Sequence, residues 1–392
     1  MTSHIMPTYQ RLPITFERGE GAWLWDENDN RYLDALSGIA VCNLGHAHPA
    51  VHKAICEQSG KLLHTSNIYG IAVQERLANA LVEKSGMDNV FFCNSGAEAN
   101  EAAIKLARKY GYGLGIASPA IIVMEKSFHG RTLATLSATG NAKVQQGFAP
   151  LVEGFIRVPY NDVEAIEQAL SEHDNIVAVL VEPIQGEGGV NIPASDYLNR
   201  IRALCDSRGL LMMLDEIQTG VGRTGKFFAF QHNAILPDVC TLAKALGNGV
   251  PIGACLARGK AAEVLTAGAH GSTFGGNPLA CSAALAVLAT LDQQHLVESA
   301  VQKGDAICAG LAEQLRGNTH VVDIRHKGMM IGIELDSPCA ELVKSALQRR
   351  LLINVTNEKT IRLLPPLIID EQQIHQLVDS LSALIQDYTE QS

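Results

Sequence analysis

Residues 210–218 read LLMMLDEIQ, and this stretch decides the fold. Residues 210–214 form a short, wholly apolar run, which is typical of a strand buried on both faces of a sheet. Asp215 follows directly, and a carboxylate at the end of such a strand is unfavourable to bury unless it has a partner. In open α/β sheets, ligands bind beyond the carboxyl ends of the strands. The stretch therefore predicts a buried strand that presents an acid to a ligand.

Similar apolar runs alternate with longer helical patterns through the middle of the chain. The predicted strands there are residues 90–92, 120–124, 155–158, 176–181, 210–214, 239–242 and 252–256. Strands that alternate with helices indicate a mostly parallel sheet covered by helices on both faces. We therefore expect an α/β architecture in this region.

The two ends of the chain have different patterns. Residues 22–25 and 31–36 predict a hairpin, and after about residue 280 long helices precede strands at 329–335 and 361–364. The chain has 392 residues, whereas single cores stop growing at roughly 250–300 residues. We expect a large domain and a smaller α+β domain drawn from both termini. The predicted division is 1–49 (small domain), 50–278 (large domain) and 279–392 (small domain).

Composition and charge exclude several classes of protein. Lys and Arg total 31 against 41 Asp and Glu, a net charge of −10 that argues against a nucleic-acid-binding surface. The longest nearly apolar stretch, residues 279–291, is shorter than the roughly 18 residues of a membrane span. The amino terminus has no apolar signal core, and the nine scattered Cys include no CxxC pair. We expect a cytoplasmic protein that binds neither nucleic acid nor membranes.

Residues 93–101 (CNSGAEANE) follow one predicted strand and begin a predicted helix. Ser95 and Glu98 have the spacing of a capping box. Gly96 allows the backbone to approach a ligand closely, and free N–H groups at a helix start attract phosphate. The pattern therefore predicts either a phosphate site or an ordinary capped helix.

Lys244 follows the predicted strand 239–242 and precedes a Gly-rich turn. Apolar surroundings disfavour an ammonium group, which makes the amine a better nucleophile. The alternative is a surface lysine whose charged end reaches water.

Two more clusters follow predicted strands. Phe128 and Arg131 offer an aromatic face and a guanidinium at the end of strand 120–124, although Phe128 alone also suits a core position. Residues 182–189 place two carboxylates in a Gly-rich loop. No His or Asp accompanies them at metal-ligand spacing, so we expect no metal there.

Two weaker signals remain. Residues 271–278 (GSTFGGNP) contain the hydroxyls of Ser272 and Thr273, and they predict either a second phosphate contact or a plain loop. His46 and His48 lack further ligands, so a helix start is the better interpretation than a metal site.

Taken together, the strand ends supply what pyridoxal 5′-phosphate (PLP) needs. A lysine amine forms a Schiff base with this cofactor, and a carboxylate keeps its ring nitrogen protonated so that the ring accepts electrons. Lys244 and Asp215 are of these two types, Phe128 offers a stacking face, and the helix start at Gly96 suits the phosphate.

The sequence resembles the class-III, fold-type-I PLP-dependent aminotransferases over nearly its whole length. The stretches that carry the resemblance are NSGAEANE at 94–101, FHGR at 128–131, VEPIQGEGG at 181–189, LDEIQTGVGRTG at 214–225, AKALGNG at 243–249 and GSTFGGNP at 271–278. The resemblance implies a fold-type-I transferase, with a large domain built on a mostly parallel sheet and a smaller α+β domain.

The resemblance also implies the residues of the cofactor site. Lys244 is the catalytic lysine that binds PLP and shuttles a proton, and Asp215 is the partner of the ring nitrogen. The ring lies between Phe128 and Ile217, and Gln218 contacts its phenolic oxygen. The phosphate contacts are the N–H groups of Gly96 and Ala97, with Thr273 from the second subunit of a homodimer. Many family members have Thr in place of Ala97, so one hydroxyl contact is absent.

Two substrates share the implied active site. Arg131 and Arg362 bind the two carboxylates of glutamate or 2-oxoglutarate, whereas an ω-amine donor such as N-acetylornithine presents one carboxylate, to Arg131. Glu187 pairs with Arg362 in that case and swings away for glutamate, because an unpaired buried charge is costly. Ser272 lies near the substrate.

Ile39 stands where ornithine aminotransferases carry Tyr, and an apolar side chain suits an acylated nitrogen better than an ammonium. The alternative donors are succinylornithine, ornithine, 4-aminobutyrate and N-acylated precursors of diaminopimelate. A PLP-dependent aminomutase and a non-catalytic binding protein are more distant alternatives.

Overall fold

The computed structural model describes residues 4–390, so the ends of the predicted small-domain segments, residues 1–3 and 391–392, lie outside it. The chain begins with the antiparallel strands β1 (Phe16–Glu20), β2 (Trp23–Asp26) and β3 (Arg31–Asp34). The predicted hairpin is the β2–β3 pair. The sequence analysis missed β1.

Seven strands form the central sheet. They are β4 (Asn89–Cys93), β5 (Ala120–Met124), β6 (Phe155–Val158), β7 (Ile176–Val181), β8 (Leu211–Asp215), β9 (Val239–Leu242) and β10 (Gly253–Ala257). Their spatial order is β4-β10-β9-β8-β7-β5-β6. Neighbouring strands are parallel except β10, which is antiparallel to both β4 and β9. The prediction of a mostly parallel sheet is confirmed.

Strand β8 shows why these sequences form central strands. Met212 and Leu214 belong to the larger apolar core on one face of the sheet, whereas Leu211 and Met213 belong to a second core on the other face. Because successive side chains of a strand point to opposite faces, only a wholly apolar run satisfies both cores. Each such side chain contributes about 1.5–3 kcal/mol by its burial. Asp215 is thereby brought to the carboxyl edge of the sheet.

Five strands follow in the last third of the chain. They are β11 (Val321–Lys327), β12 (Met330–Leu335), β13 (Leu351–Leu352), β14 (Asn354–Thr356) and β15 (Thr360–Leu363). One antiparallel sheet has the order β11-β12-β15-β14, while β13 pairs in parallel with β3. The two ends of the chain therefore meet in one sheet. The residue limits of the two domains stay a prediction.

Helices connect the strands. They are α1 (Ser37–Ala40), α2 (Pro49–Ser59), α3 (Ala72–Ser85), α4 (Gly96–Gly113), α5 (Leu133–Ala138), α6 (Ala142–Gln145), α7 (Val163–Glu172), α8 (Tyr197–Arg208), α9 (Pro278–Gln293), α10 (Leu296–Gln314), α11 (Leu342–Gln348) and α12 (Glu371–Thr389). Helices α3, α4, α7 and α8 pack on the central sheet, whereas α10 and α11 pack on strands of the last third of the chain. His48 caps α2 by accepting a hydrogen bond from Ala50 N at 3.3 Å, so it marks a helix start. Within residues 4–390, no helix combines the length and apolarity that crossing a bilayer requires.

Helix α4 begins at Gly96, directly after β4. Ser95 Oγ accepts a hydrogen bond from Glu98 N at 3.2 Å, which is one half of the predicted capping box. The Glu98 carboxylate accepts from Asn94 N at 2.5 Å instead of from Ser95 N. The cap holds the amino end of α4 at the carboxyl edge of the sheet.

Candidate active site

A cavity of about 400 Å³ opens at the carboxyl edge of the central sheet. The ends of β5, β7, β8 and β9, together with the start of α4, contribute its walls. Nine of the predicted site residues line it: Gly96, Ala97, Phe128, Arg131, Glu187, Asp215, Ile217, Gln218 and Lys244. The fold thus brings most of the predicted cluster together.

Asp215 lies at the inner end of the cavity, and its side chain is only 4% exposed. Its Oδ2 accepts hydrogen bonds from Asn100 Nδ2 and His129 Nδ1, both at 2.8 Å, and its Oδ1 accepts one from Ile217 N at 3.1 Å. Thr241 Oγ1 in turn donates to Asn100 Oδ1 at 2.8 Å. These contacts fix the carboxylate in one orientation.

Lys244 follows β9 and lines the same cavity. Burial lowers the pKa of its ammonium from the ordinary value of 10.5 to about 8; the Arg362 guanidinium acts in the same direction, and Glu187 opposes it. Its backbone φ of 41° is a left-handed conformation that is unfavourable for a residue with a Cβ atom. The apolar setting predicted for this lysine is therefore present, and its amine is more readily available as a neutral group.

The start of α4 lies against Ile217. A Cβ atom placed on Gly96 would be 2.8 Å from Ile217 Cδ1, so no larger residue fits there without a shift. The first N–H groups of a helix have no acceptor within the helix, and they attract anions. Gly96 and Ala97 line the cavity, and their role in holding a phosphate stays a prediction.

Phe128 is held by the buried carboxylate of Glu182, which the sequence analysis considered only as a metal ligand. Phe128 N donates to Glu182 Oε1 at 2.9 Å, and Gly186 N donates to Glu182 Oε2 at 3.2 Å. Burial and the neighbouring Asp215 raise the pKa of Glu182 to about 7, while His129 and the two N–H donors oppose the increase. One side chain therefore connects the loop that carries Phe128 with the loop that carries Glu187.

Arg362, on β15, has no exposed side-chain surface and contacts two residues of the cavity wall, Glu187 and Gln218; we call this part of the wall the outer end. Its Nη1 donates to Glu187 Oε1 at 2.7 Å and to Gln218 Oε1 at 3.2 Å, and its Nε donates to Asn354 Oδ1 at 3.1 Å. The positive charge of Arg362 lowers the pKa of Glu187 against the opposing effect of burial. Glu187 and Arg362, which the resemblance pairs, are thus in contact.

Arg131 is exposed at the rim of the same cavity. Its guanidinium carbon lies 5.8 Å from the centre of the Phe128 ring. The described part of the chain gives it no ion pair. Of the two predicted substrate arginines, one is therefore accessible and the other is held by an acid.

Ser272 and Thr273 do not line this cavity. They lie in a neighbouring depression with Asn94 and Glu98, where Asn94 Nδ2 donates to Ser272 Oγ at 3.2 Å. Thr273 is exposed. The predicted phosphate contact of Thr273 requires a second subunit, and this contact and the position of Ser272 near the substrate stay predictions.

His129, Asn100 and Glu182 were not among the predicted site residues. All three stood in the motifs that carry the resemblance, but a motif does not show which side chains contact Asp215. Asn100 lies four residues after Gly96, one helical turn on, and this spacing was a usable signal that it faces the site.

The residues of the cavity fit PLP. An amine with a lowered pKa, a buried oriented carboxylate, two apolar side chains and the anion-binding helix start match the aldehyde, ring nitrogen, ring faces and phosphate of that cofactor. Ile217 can lie this close to the helix start only because residue 96 has no side chain.

The comparisons agree with this site. The family model of class-III aminotransferases matches residues 5–385. The acetylornithine aminotransferase of Nitrosomonas europaea is 60% identical over 383 residues, which are 98% of each chain. The ornithine aminotransferase structure from Toxoplasma gondii has a TM-score of 0.95 at 35% identity, covering 99% of this chain and 94% of that one. The N-acetylornithine aminotransferase structure from Stenotrophomonas maltophilia has a TM-score of 0.86 at 36% identity, covering 98% of each.

Fold and site define an aminotransferase of fold type I. The chain belongs to the class-III aminotransferase family. The predictions of the family, of the fold class and of a PLP cofactor are confirmed.

Proposed function

We propose that this enzyme transfers the ω-amino group of N-acetyl-L-ornithine to 2-oxoglutarate. The products are N-acetyl-L-glutamate 5-semialdehyde and L-glutamate, and the reaction is a cytoplasmic step of arginine biosynthesis. The observation that carries the proposal is the contrast between the two arginines, because Arg131 is accessible while Arg362 is held by Glu187 at 2.7 Å. The 60% identical relative from Nitrosomonas europaea bears the corresponding name.

The bound PLP supplies an electron sink that stabilises negative charge on the substrate carbon. Lys244 would hold the cofactor covalently, and its amine would then accept and return the substrate proton. A pKa of about 8 leaves part of this amine neutral near neutral pH, so it accepts a proton readily and also returns it. Asp215 holds the ring nitrogen in its protonated form, and His129 and Asn100 keep its carboxylate oriented.

The remaining cofactor contacts surround the ring and the phosphate. Phe128 and Ile217 would pack on the two ring faces, and Gln218 would contact the phenolic oxygen. The N–H groups of Gly96 and Ala97 would bind the phosphate together with Thr273 of a second subunit.

The two arginines explain how one site accepts two substrates. A donor with one carboxylate binds Arg131 and leaves the Glu187–Arg362 pair intact. Glutamate and 2-oxoglutarate carry a second carboxylate, which replaces Glu187 on Arg362. Bidentate contacts between guanidinium and carboxylate are strong and oriented. The contact with Arg362 therefore both orients the substrate and balances the charge of its second carboxylate.

The acyl group of the donor is expected near Ile39. Ile39 packs against the apolar group formed by Ala40, Ile184 and Val190. It precedes Val41, which lines the cavity, by two positions. An ornithine ammonium in these surroundings would have no charged partner, so an acylated nitrogen is favoured.

A homodimer completes the site in this proposal. Phe274 lines the depression that holds Thr273 and is exposed, as are Leu62, Leu63, Ile68 and Tyr69 in the segment around Asn67. Asn67 donates hydrogen bonds to the carbonyls of Ser272 and Gly275, so the two segments form one surface. Exposed apolar side chains of this size are typical of an interface, and a second copy would bring Thr273 to the neighbouring cavity.

The test is a donor panel with the purified holoenzyme. The ratio kcat/KM for N-acetylornithine is expected to exceed those for succinylornithine, ornithine and 4-aminobutyrate, with 2-oxoglutarate as acceptor. A higher value for any other donor would replace the proposed substrate. Turnover without 2-oxoglutarate would identify an aminomutase instead.

A further inference from the structure

The edge strand β14 contacts both members of the Glu187–Arg362 pair. Asn354 Oδ1 accepts the hydrogen bond from Arg362 Nε at 3.1 Å, and Thr356 Oγ1 donates to the backbone carbonyl of Glu187. Residues two apart on a strand point to the same face. One face of β14 therefore holds the side chain of the arginine and the backbone of the acid.

The contacts of the guanidinium decide how it can receive a carboxylate. Its Nε is held by Asn354, while Glu187 contacts Nη1 only. Within residues 4–390, the buried Nη2 has no hydrogen-bond partner. A carboxylate pairs with a guanidinium through two parallel N–H groups. With Nε occupied, the edge that remains for such pairing is formed by Nη1 and Nη2.

The backbone around Glu187 is held while its side chain is not enclosed. Besides the Thr356 contact, Val190 N donates to Gly186 O at 3.3 Å, and Gly186 N donates to Glu182. The side chain of Glu187 is 34% exposed. Rotation of this side chain alone therefore releases Arg362, with no movement of the loop.

We propose that Asn354 and Thr356 are positioning residues that determine the preference of the Arg362 site for dicarboxylates. Asn354 turns the Nη1–Nη2 edge toward the entering carboxylate. Thr356 fixes the backbone of Glu187, so this acid competes for Arg362 from one defined position. The inference rests on the proposed function, in which Arg362 binds the second carboxylate of glutamate and 2-oxoglutarate.

The first test is the variant Asn354→Ala, titrated calorimetrically as holoenzyme with glutarate, a dicarboxylate without an amino group. Loss of a hydrogen bond to a charged group is expected to raise the Kd of glutarate about 10-fold. The KM for 2-oxoglutarate should rise in parallel, and that for N-acetylornithine should stay within about 2-fold. Asn354→Val removes the same acceptor with a residue that suits an edge strand, so it should reproduce the result.

The second test has a matched control in the same strand pair. Thr356→Val removes the side-chain contact to the backbone carbonyl of Glu187 and weakens the competition of this acid, so glutarate should bind about 2- to 5-fold more tightly while kcat/KM for N-acetylornithine falls. Thr360 is the cross-strand neighbour of Thr356, and within the described chain its buried hydroxyl has no partner. Thr360→Val should therefore leave glutarate affinity unchanged.

Three results would overturn the inference: equal losses for both substrates in Asn354→Ala, unchanged glutarate binding in that variant, or identical behaviour of Thr356→Val and Thr360→Val. Arg362→Ala separates this failure from a failure of the proposed function. If that variant loses glutarate binding while Asn354→Ala keeps it, only the positioning role is wrong. If Arg362→Ala binds glutarate normally, the assigned role of Arg362 is wrong as well.

Discussion

The two ends of the cavity hold their charges in different ways. At the inner end, Asp215 is 4% exposed and accepts three hydrogen bonds from groups on the helix and loops of the central sheet. At the outer end, Glu187 is 34% exposed and its carboxylate depends chiefly on one ion pair with Arg362. The inner charge is fixed, whereas the outer one can leave.

This difference matches what each end must do. The cofactor chemistry is the same for every substrate, so its carboxylate profits from a rigid, fully hydrogen-bonded setting. The substrates differ by one carboxylate, so the outer end needs a charge that can be replaced. Removing one partner of a buried ion pair is strongly unfavourable, which means that Glu187 leaves only when another carboxylate arrives.

The most severe way to break the inner end is Lys244→Ala. We expect turnover to fall by at least about 1,000-fold, because the covalent link and the proton carrier are both lost. Borohydride reduction followed by mass spectrometry should find no PLP attached to the variant. The exposed Lys126 serves as a control, since Lys126→Ala should keep the linkage. A cofactor still attached in Lys244→Ala would refute the assignment of this lysine.

Asp215→Asn tests the fixed charge at the inner end. An uncharged partner no longer holds the ring nitrogen protonated, so kcat should fall by about 100- to 1,000-fold in both half-reactions. The thermal unfolding temperature should change little, because the amide keeps most of the shape. Near-normal turnover would show that this carboxylate does not serve the electron sink.

Arg362→Ala tests the replaceable charge at the outer end. The half-reaction with glutamate should lose about 100-fold in kcat/KM, while the half-reaction with N-acetylornithine loses far less. Single-turnover absorbance measurements follow the two half-reactions separately. Arg131→Ala is the matched comparison, since it should damage both half-reactions. If Arg362→Ala slowed both half-reactions as strongly as Arg131→Ala does, the exchange of Glu187 for a substrate carboxylate would be contradicted.

The residues at the inner end of the cavity were easier to predict from the sequence than those at the outer end. Residues 120–124, 155–158, 176–181 and 239–242 were predicted as strands with the bounds that the structure has. Their apolar runs follow from burial on both faces, so the strand ends and the residues just after them could be located. Lys244 and Asp215 were found in this way.

The rest depends on contacts that leave no local pattern. Strand β1 has the sequence FERGE, in which three of five residues are charged, so no apolar pattern indicates a strand. Its backbone pairing with β2 stabilises it. Asn354 and Thr356 lie on a three-residue edge strand, too short for a detectable alternation. Their partners are distant in sequence, and only the folded chain places them beside Glu187 and Arg362.

The smallest expected effect concerns the pKa of Lys244, which depends on charges at both ends of the cavity. Because that pKa is lowered to about 8, the ammonium loses its proton at lower pH than an ordinary lysine. The rate at which apoenzyme forms the PLP linkage should therefore rise with pH, with a midpoint near 8, and level off above it. Stopped-flow absorbance across a pH series measures this midpoint.

Two variants of the outer end should move that midpoint in opposite directions. Glu187 raises the pKa of Lys244, so Glu187→Gln should shift the midpoint to lower pH. Arg362 lowers the pKa of Lys244, so Arg362→Ala should shift the midpoint to higher pH. Both shifts should shrink at high ionic strength, since they act through charge across the cavity. Identical midpoints in all three proteins would mean that the outer charges do not act on the amine, and that the two ends work independently.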